Sequence, residues 1–595
     1  MIKQPKPTMK NTITNNIKLT LIAILLIGFN KLHAQAPTIS SFYPTSGSIG
    51  TLVTVTGTNL STPTALNIGG VAALKISAKT DTLVAMVMPG AATGVIYIAN
   101  ANGNTTSTTN FTKIASTAPI NQQGNKIVGT ANSFQGASLD LSADGNTAIV
   151  GGWGDNNNMG AAWVYTRDGN KWTQQGSKLV GTDAISQGNQ GCSVSISADG
   201  NTAIVGGWGD NNDTGAAWVY TRSGSNWIQQ GGKLVGTGAI GVGFGSGIFQ
   251  GQSVSLSADG NTAIIGGYGD NYETGAAWVF TRSGNTWTQQ GSKLVGIGAI
   301  GHSNQGGSVS LSADGNTAIL GGLADNNNVG AAWIFTRSGN TWSQQGNKLV
   351  GTGAIGSNIF QGGSVSLSAD GNTAMMGGNN DNDGIGAAWI FTRSGSTWTQ
   401  QGGKLVGTGA IGQSLQGWSV SLSADGNTAI VGGNYDNNQI GAAWIYTCNG
   451  GTWTQEGSKL LGTGANGQSR QGASVALSAD GKTAMVGGEY DDWGNGSGAI
   501  WTYISSPASS IDEIKNTSLS IYPNPSNGIV TINSNQDIAH INVYDNKGKA
   551  VLNQEYTNKL NQTEIDLSAL NNGIYFIAIQ SSNGEISKSK IVLAK

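Results

Sequence analysis

The stretch Gln250-Gly251-Gln252-Ser253-Val254-Ser255-Leu256-Ser257-Ala258-Asp259-Gly260-Asn261-Thr262-Ala263-Ile264-Ile265-Gly266-Gly267 decides the fold. Ser253 to Leu256 alternates polar and apolar residues, the period of a half-buried strand. Ala258-Asp259-Gly260-Asn261 carries hairpin chemistry, Asp to start a turn and Gly to accept positive φ. Thr262 to Ile265 predicts a second strand, ended by Gly266-Gly267. After a polar loop, Ala276 to Thr281 reads as a third strand. Ser283-Gly284-Asn285 turns it into a fourth, Trp287 to Val295.

This unit recurs. Ser-Ala-Asp-Gly occurs seven times, with its Asp at 144, 199, 259, 314, 370, 425 and 480. Gln-Gly keeps step at Gln135, Gln190, Gln250, Gln305, Gln361, Gln416 and Gln471. A Trp follows Gly-Ala-Ala at 163, 218, 278, 333, 389 and 444, with Trp501 after Gly-Ala-Ile. Four short strands in each of seven repeats predict an all-β fold, a seven-bladed β-propeller over 120–506. The seventh copy stops at Trp501-Thr502-Tyr503-Ile504, without a fourth strand. Upstream of the first copy, Asn121-Gln122-Gln123-Gly124-Asn125-Lys126-Ile127-Val128 repeats the pattern of Thr288-Gln289-Gln290-Gly291-Ser292-Lys293-Leu294-Val295. It is expected to complete the last blade and close the ring, which pairs edges that an open array leaves exposed.

Composition agrees with many turns and short strands. Gly is 93 of 595 residues with only 10 Pro, and no G-X-Y period marks collagen. Charged residues are 10% and the net charge is −2, so no basic field exists for nucleic acid or an anionic membrane surface. Lys3, Lys6 and Lys10, an apolar run from Leu19 to Phe29, and Ala34-Gln35-Ala36 form the order of a secretory signal peptide over 1–36. That run is too short for a transmembrane span. Cys192 and Cys448 lie in the second and sixth repeats, too far apart to expect a bridge.

Three resemblances extend this reading. Gln250-Gly251-Gln252-Ser253-Val254, Asp259-Gly260-Asn261, Ile265-Gly266-Gly267 and Gly275-Ala276-Ala277-Trp278-Val279-Phe280 together resemble the FG-GAP repeats of integrin-α-like propellers. Here Phe-Gly has become Gln-Gly, and the family's calcium loop is cut to a single Asp, short of the 6–8 oxygens that calcium takes. Residues 37–115, with Pro37-Thr38-Ile39-Ser40-Ser41-Phe42-Tyr43-Pro44 and Gly50-Thr51-Leu52-Val53-Thr54-Val55, resemble an IPT/TIG domain. This implies an immunoglobulin-like β-sandwich for interaction or spacing. Beyond a linker at 507–515, residues 516–595 resemble the sorting domain (type A) of the type IX secretion system. The marks are Leu519-Ser520-Ile521-Tyr522-Pro523-Asn524-Pro525, Val543-Tyr544-Asp545 and Gly573-Ile574-Tyr575. The resemblance implies a Gram-negative cell, Sec passage, the type IX machinery as a partner, and delivery to the outer surface, where the protein is secreted or attached.

The residues that carry catalysis elsewhere are sparse. His33, His302 and His540 lie far apart, which excludes a His cluster or a His-paired nucleophile. A two-carboxylate glycosidase would need an acid pair that breaks the repeat, and only Glu273 and Glu489 with Asp492 do so. The expectation is no catalytic residue and no enzyme.

Candidate binding residues follow each Gly-Gly. Asp155, Asp210, Asp270, Asp325, Asp381, Asp436 and Asp491 open Asn-rich loops on one face. One reading is an Asx-turn shared by every blade. The other is a set of weak Ca²⁺ or polar-ligand sites, so no cofactor is firmly implied. The third- and fourth-strand Trp residues read as packing between blades, which leaves Trp153, Trp208, Trp418 and Trp493 outside both periods. Trp153, Trp208, Tyr268, Tyr272, Tyr435, Tyr490 and Trp493 sit on the loop face, where aromatics beside Asn and Asp could stack on sugar rings. Arg167, Arg222, Arg282, Arg337 and Arg393, with Lys178, Lys233, Lys293, Lys348, Lys404 and Lys459, read as charges that blunt an exposed edge strand. Two functions stay open. One is a secreted adhesion or recognition protein with a glycan or extracellular protein ligand. The other is a structural envelope or matrix protein without one, and a polysaccharide-degrading enzyme is a weaker third.

Overall fold

The computed structural model describes residues 35–595 except 115–117, 242–246, 493, 506–518, 535–536, 546–548, 557, 559 and 583–585. All but the last two residues of the signal-peptide span and the whole linker thus lie outside the described residues. The chain divides into two units, Met1–Ser506 and Pro507–Lys595.

In the first unit, the N-terminal sandwich has one sheet of Thr38–Tyr43, Leu52–Thr58, Thr82–Met86 and Leu74–Ala78. Its second sheet holds Val71–Ala72, Ala65–Ile68, Ile96–Asn100 and Gly103–Thr106. Val53, Val55, Leu83, Ile96, Ile98 and Phe111 are fully buried between them.

The repeats then form one antiparallel sheet each. In the third, Ser253–Leu256 pairs with Thr262–Gly267, which pairs with Ala276–Ser283, which pairs with Thr286–Gln289. Each sheet is open, and none closes into a barrel. The second strand is buried along its whole length in every repeat but the fifth, where only Thr373 is half-buried, because neighbouring sheets cover both its faces, as in Thr262–Gly267. The third-strand Trp218, Trp278, Trp333, Trp389, Trp444 and Trp501 are likewise buried. Close approach of the next repeat dictates the glycines. A Cβ on Gly236 would stand 2.1 Å from the Trp278 indole, and one on Gly206 would stand 2.1 Å from the Gly251 carbonyl.

Backbone hydrogen bonds join the repeats in a cycle. The Ala143 N–H donates to the Ala198 carbonyl, and Ala198 to Ala258, Ala258 to Ala313, Ala313 to Ala369, Ala369 to Ala424 and Ala424 to Ala479. Ala479 returns to Ala143 at 3.1 Å. These alanines belong to the seven Ser-Ala-Asp-Gly turns. Upstream residues complete the seventh sheet, since Asn121–Gln122 and Ile127–Val128 both pair with Ala499–Ile504. Gln122 accepts the Thr463 N–H at 2.8 Å, as Gln289 accepts that of Thr237 at 2.7 Å.

The sandwich packs on the turn end of this ring. The turn alanines share one apolar cluster with its core, and Met86 caps an axial cavity of about 170 Å³ that leucines such as Leu256 and Leu311 line. Gly50 lies against Ala479, leaving no space for a Cβ.

The second unit has two sheets. One holds Leu519–Tyr522, Ile529–Ser534 and Gln562–Asp566. The other holds Ala550–Glu555, Ile538–Tyr544, Gly573–Ser581 and Ile586–Leu593. Val530, Ile532, Ile541, Val543, Ile577 and Ile591 fill the space between.

Candidate functional site

The ring mouth lies at the other end of the innermost strands from the alanine turns. Three positions per repeat build it: the residue before Gln-Gly, the residue after it, and the residue after Gly-Gly. The invariant Gln between them is structural. Gln250 is fully buried and accepts the Gly236 N–H at 2.5 Å, and Gln305, Gln361, Gln416 and Gln471 do the same one repeat on.

The residue before Gln-Gly holds positive φ in every repeat. Phe134, Asn189, Phe249, Asn304, Phe360, Leu415 and Arg470 lie between 50° and 61°. Asn tolerates this conformation, whereas Phe, Leu and Arg are strained in it. Rigid pairing above and below imposes it. The Phe360 N–H donates to the Asn328 carbonyl, and its own carbonyl accepts the Gly363 N–H.

Around the seventh, first, second and third repeats, aromatic side chains fill this end. Phe134 stacks on Trp153 at 4.7 Å between ring centroids and meets Tyr490 edge-on. Phe249 stacks on Tyr268 at 4.8 Å and meets Trp208 edge-on. The Arg470 guanidinium lies 4.2 Å from the Tyr490 ring centre and 5.1 Å from that of Tyr435, and it faces Glu489 at 4.0 Å. Burial raises the Glu489 carboxyl above its ordinary range, while the Trp153 N–H at 3.4 Å and the Arg470 charge oppose the rise. Trp153, Trp208, Tyr435 and Tyr490 are therefore engaged with their neighbours.

The third to sixth repeats leave space. A cavity of about 480 Å³ opens there, walled by Tyr268, Phe360, Leu323 and Trp418, with the amides of Gln252, Asn304 and Asn379. Gly307 and Gly363 create the room, because the equivalent positions elsewhere carry Ala137, Cys192, Gln252, Trp418 and Ala473. Trp418 is 45% exposed and is the one exposed Trp among the described residues. Burial pushes the Cys192 thiol, at the same position of the second repeat, up to about 12.

Of the predicted aromatic set, the cavity takes only Tyr268. Tyr272 is 65% exposed on the outer loop at φ 56°, and Trp493 lies outside the described residues. Sequence reasoning passed over Trp418 because it follows Gln-Gly and not Gly-Gly.

The seven aspartates require a correction. Each is buried and ion-paired with a lysine. Asp210 meets Lys233, Asp270 meets Lys293 and Asp325 meets Lys348, all at 2.5 Å. Asp155, Asp381 and Asp436 pair with Lys178, Lys404 and Lys459, and Asp491 pairs with Lys126. In Asp210, Asp270, Asp325, Asp381, Asp436 and Asp491 the second oxygen accepts a backbone N–H from the preceding connection, as Asp270 does from Ile240 at 2.7 Å. In these six an ammonium group and an amide occupy the oxygens that a cation would use. Among the described residues no cluster of three or more His, Cys, Asp or Glu could hold a metal ion.

The recurrent basic residues are corrected with them. The lysines are the partners of these aspartates. The arginines bridge neighbouring sheets: Arg282 lies over Trp287 and donates to Gln230 of the previous repeat at 3.0 Å. A signal was present, because the Asp–Lys separation is 23 residues in all six internal pairs.

Residues 37–113 match the family model of the IPT/TIG domain, and residues 520–594 match that of the secretion system C-terminal sorting domain. The chain thus carries both domains. The sorting domain directs it out of the cell to the outer surface, and no described helix is long and apolar enough to cross a membrane. No curated protein matches the chain. Among solved structures it is similar to the hydrazine synthase of Kuenenia stuttgartiensis, at 12% identity and TM-score 0.41, over 65% of this chain and 99% of that one. It is similar to a fungal alcohol oxidase of the AA5 family in complex with copper, at 14% identity and TM-score 0.41, over 80% and 100%. A third is the periplasmic gluconolactonase of Pseudomonas aeruginosa, at 16% identity and TM-score 0.39, over 63% and 94%. At these scores the likenesses bear on neither activity nor ligand.

Proposed function

We propose that this is an exported cell-surface binding protein, without catalytic activity, whose 120–506 region is a closed seven-bladed β-propeller of integrin-α-like FG-GAP repeats. Adhesion or recognition takes place at the open mouth. The carrying observation is the cavity of about 480 Å³ at the ring of positions where otherwise matching repeats diverge. The alanine cycle and the paired upstream strand support closure. The sandwich covers the opposite end and leaves one mouth for a ligand. The non-enzyme reading rests on the acids. Glu489 is held by Arg470 and Trp153, and no Asp or Glu lines the cavity.

The test is an array of polysaccharides and extracellular matrix proteins probed with the exported chain. Saturable binding to at least one component is expected, with no release of reducing ends. Silence across the array would leave only an architectural role, and release of reducing ends would refute the non-enzyme reading.

A further inference from the structure

We infer that the mouth cavity of the third to sixth repeats binds an uncharged pyranose unit of an extracellular glycan, stacked on Trp418 and hydrogen-bonded by Gln252, Asn304 and Asn379. The inference rests on the reading of the mouth as a recognition site and assigns its ligand chemistry.

Charge narrows the choice first. None of the ten lining residues is Asp, Glu, Lys, Arg or His. An anionic or cationic ligand would shed its water against a wall that offers no counter-charge. A wholly apolar ligand fits no better, because it would leave three side-chain amides without partners. A pyranose combines what this wall offers. Its flat C–H face packs on an aromatic ring, and its ring of hydroxyls needs planar groups that both donate and accept. The volume lies within the usual range of roughly 300–1,000 Å³ for ligand pockets.

The construction is specific to this side of the ring. Gly307 and Gly363 open the floor, whereas the second, third and sixth repeats place Cys192, Gln252 and Trp418 at that position. Phe360 keeps φ 61° where Asn189 and Asn304 show that an easier residue is available. The strain therefore places an aromatic wall in the cavity. Trp418 is an exposed indole facing this space, unlike Trp153, which is stacked on Phe134.

Two variants separate binding from folding. Trp418→Ala installs a residue that the same position already carries at Ala137 and Ala473. Gly363→Trp fills the cavity with the side chain that position holds at Trp418, and Gly363 has no positive φ to forbid it. Both variants should melt like the parent protein. The probes are cellotriose, laminaritriose, mannotriose and xylotriose, titrated into the full chain by calorimetry at about 0.05 and 0.5 M salt. At least one should bind with little salt dependence, be weakened about tenfold or more by Trp418→Ala, and be abolished by Gly363→Trp. Silence from all four overturns the assignment, as does binding that survives both variants. A protein or charged polymer whose binding Gly363→Trp blocks would also overturn it, while sparing the mouth as a recognition site. A partner that both variants leave untouched would sink the mouth reading itself.

Discussion

Lys126, which precedes the first repeat, forms an ion pair with Asp491 of the last. Asp491 is fully buried, and its other oxygen accepts the Asn466 N–H at 2.8 Å. A residue more than 360 positions away in the chain thus does what Lys293 does for Asp270 within one repeat.

Lys126→Met should destabilise the ring about as much as Lys293→Met, because each leaves a fully buried carboxylate without its cation. The expected cost is about 3 kcal/mol, read from urea unfolding. Lys178→Met should cost clearly less, since Lys178 is 42% exposed and water can replace it. Equal effects at 126 and 178 would contradict this ranking.

The pH response should centre on Asp140. Five innermost strands carry Ser here, and each hydroxyl accepts an N–H from the next strand, as Ser195 does from Leu256 at 3.2 Å. The seventh carries Ala476, which has no oxygen for Leu141. Asp140 fills both roles, accepting the Ile196 N–H of the next repeat's strand at 2.9 Å and the Leu141 N–H of its own strand at 2.8 Å. Burial is the largest influence and pushes its carboxyl from 3.8 up to about 6, against these hydrogen bonds. The folded protein therefore binds this proton more tightly than the unfolded chain. Its contribution is full below about pH 4 and is lost as pH rises to about 6, a change of about 3 kcal/mol. Asp140→Ser should flatten this slope, with higher stability than the parent at pH 8 and slightly lower stability at pH 4. A slope that persists in the variant would assign it elsewhere.

Gly236→Ala tests the contact between repeats. The added carbon would meet the Trp278 indole at 2.1 Å, and the Gly236 N–H is held by Gln250. Differential scanning calorimetry should show a loss of at least about 2 kcal/mol. Gly284→Ala, at a turn with open space around it but φ 60°, should cost only about 1 kcal/mol.

Removing residues 37–113 should uncover the alanine ring and the axial cavity that Met86 caps. Increased binding of an apolar fluorescent dye is expected, with a lower melting temperature. An unchanged melting curve and no dye uptake would show that the sandwich does not seal this end.

Much of the architecture was legible because the repeat is written in residues with unmistakable local demands. Asp-Gly turns, strand alternation and the Gln122 to Val128 copy each predicted pairings that the structure contains. The binding site was less legible. Trp153 and Trp208 look like free loop aromatics until Phe134 and Phe249 appear beside them, and those partners come from other connections, Phe134 from before the first repeat and Phe249 from after the second. Lys293 looks like an edge charge because its partner Asp270 lies on a loop one strand away in the fold. Trp418 stood outside both packing periods but not among the candidate ligand residues, because only its neighbours Gly363 and Gly307, one and two repeats back, turn an exposed indole into a cavity wall.

The most direct test of the account levels the mouth and keeps the ring. Tyr268→Asn, Phe360→Asn and Trp418→Ala together install residues that Asn379, Asn304 and Ala473 already hold at the same three positions. Binding of this variant and of the parent to the array component that the parent recognises should be compared alongside their melting curves. The account predicts matching melting curves and loss of binding. Retained binding by a folded variant would contradict it.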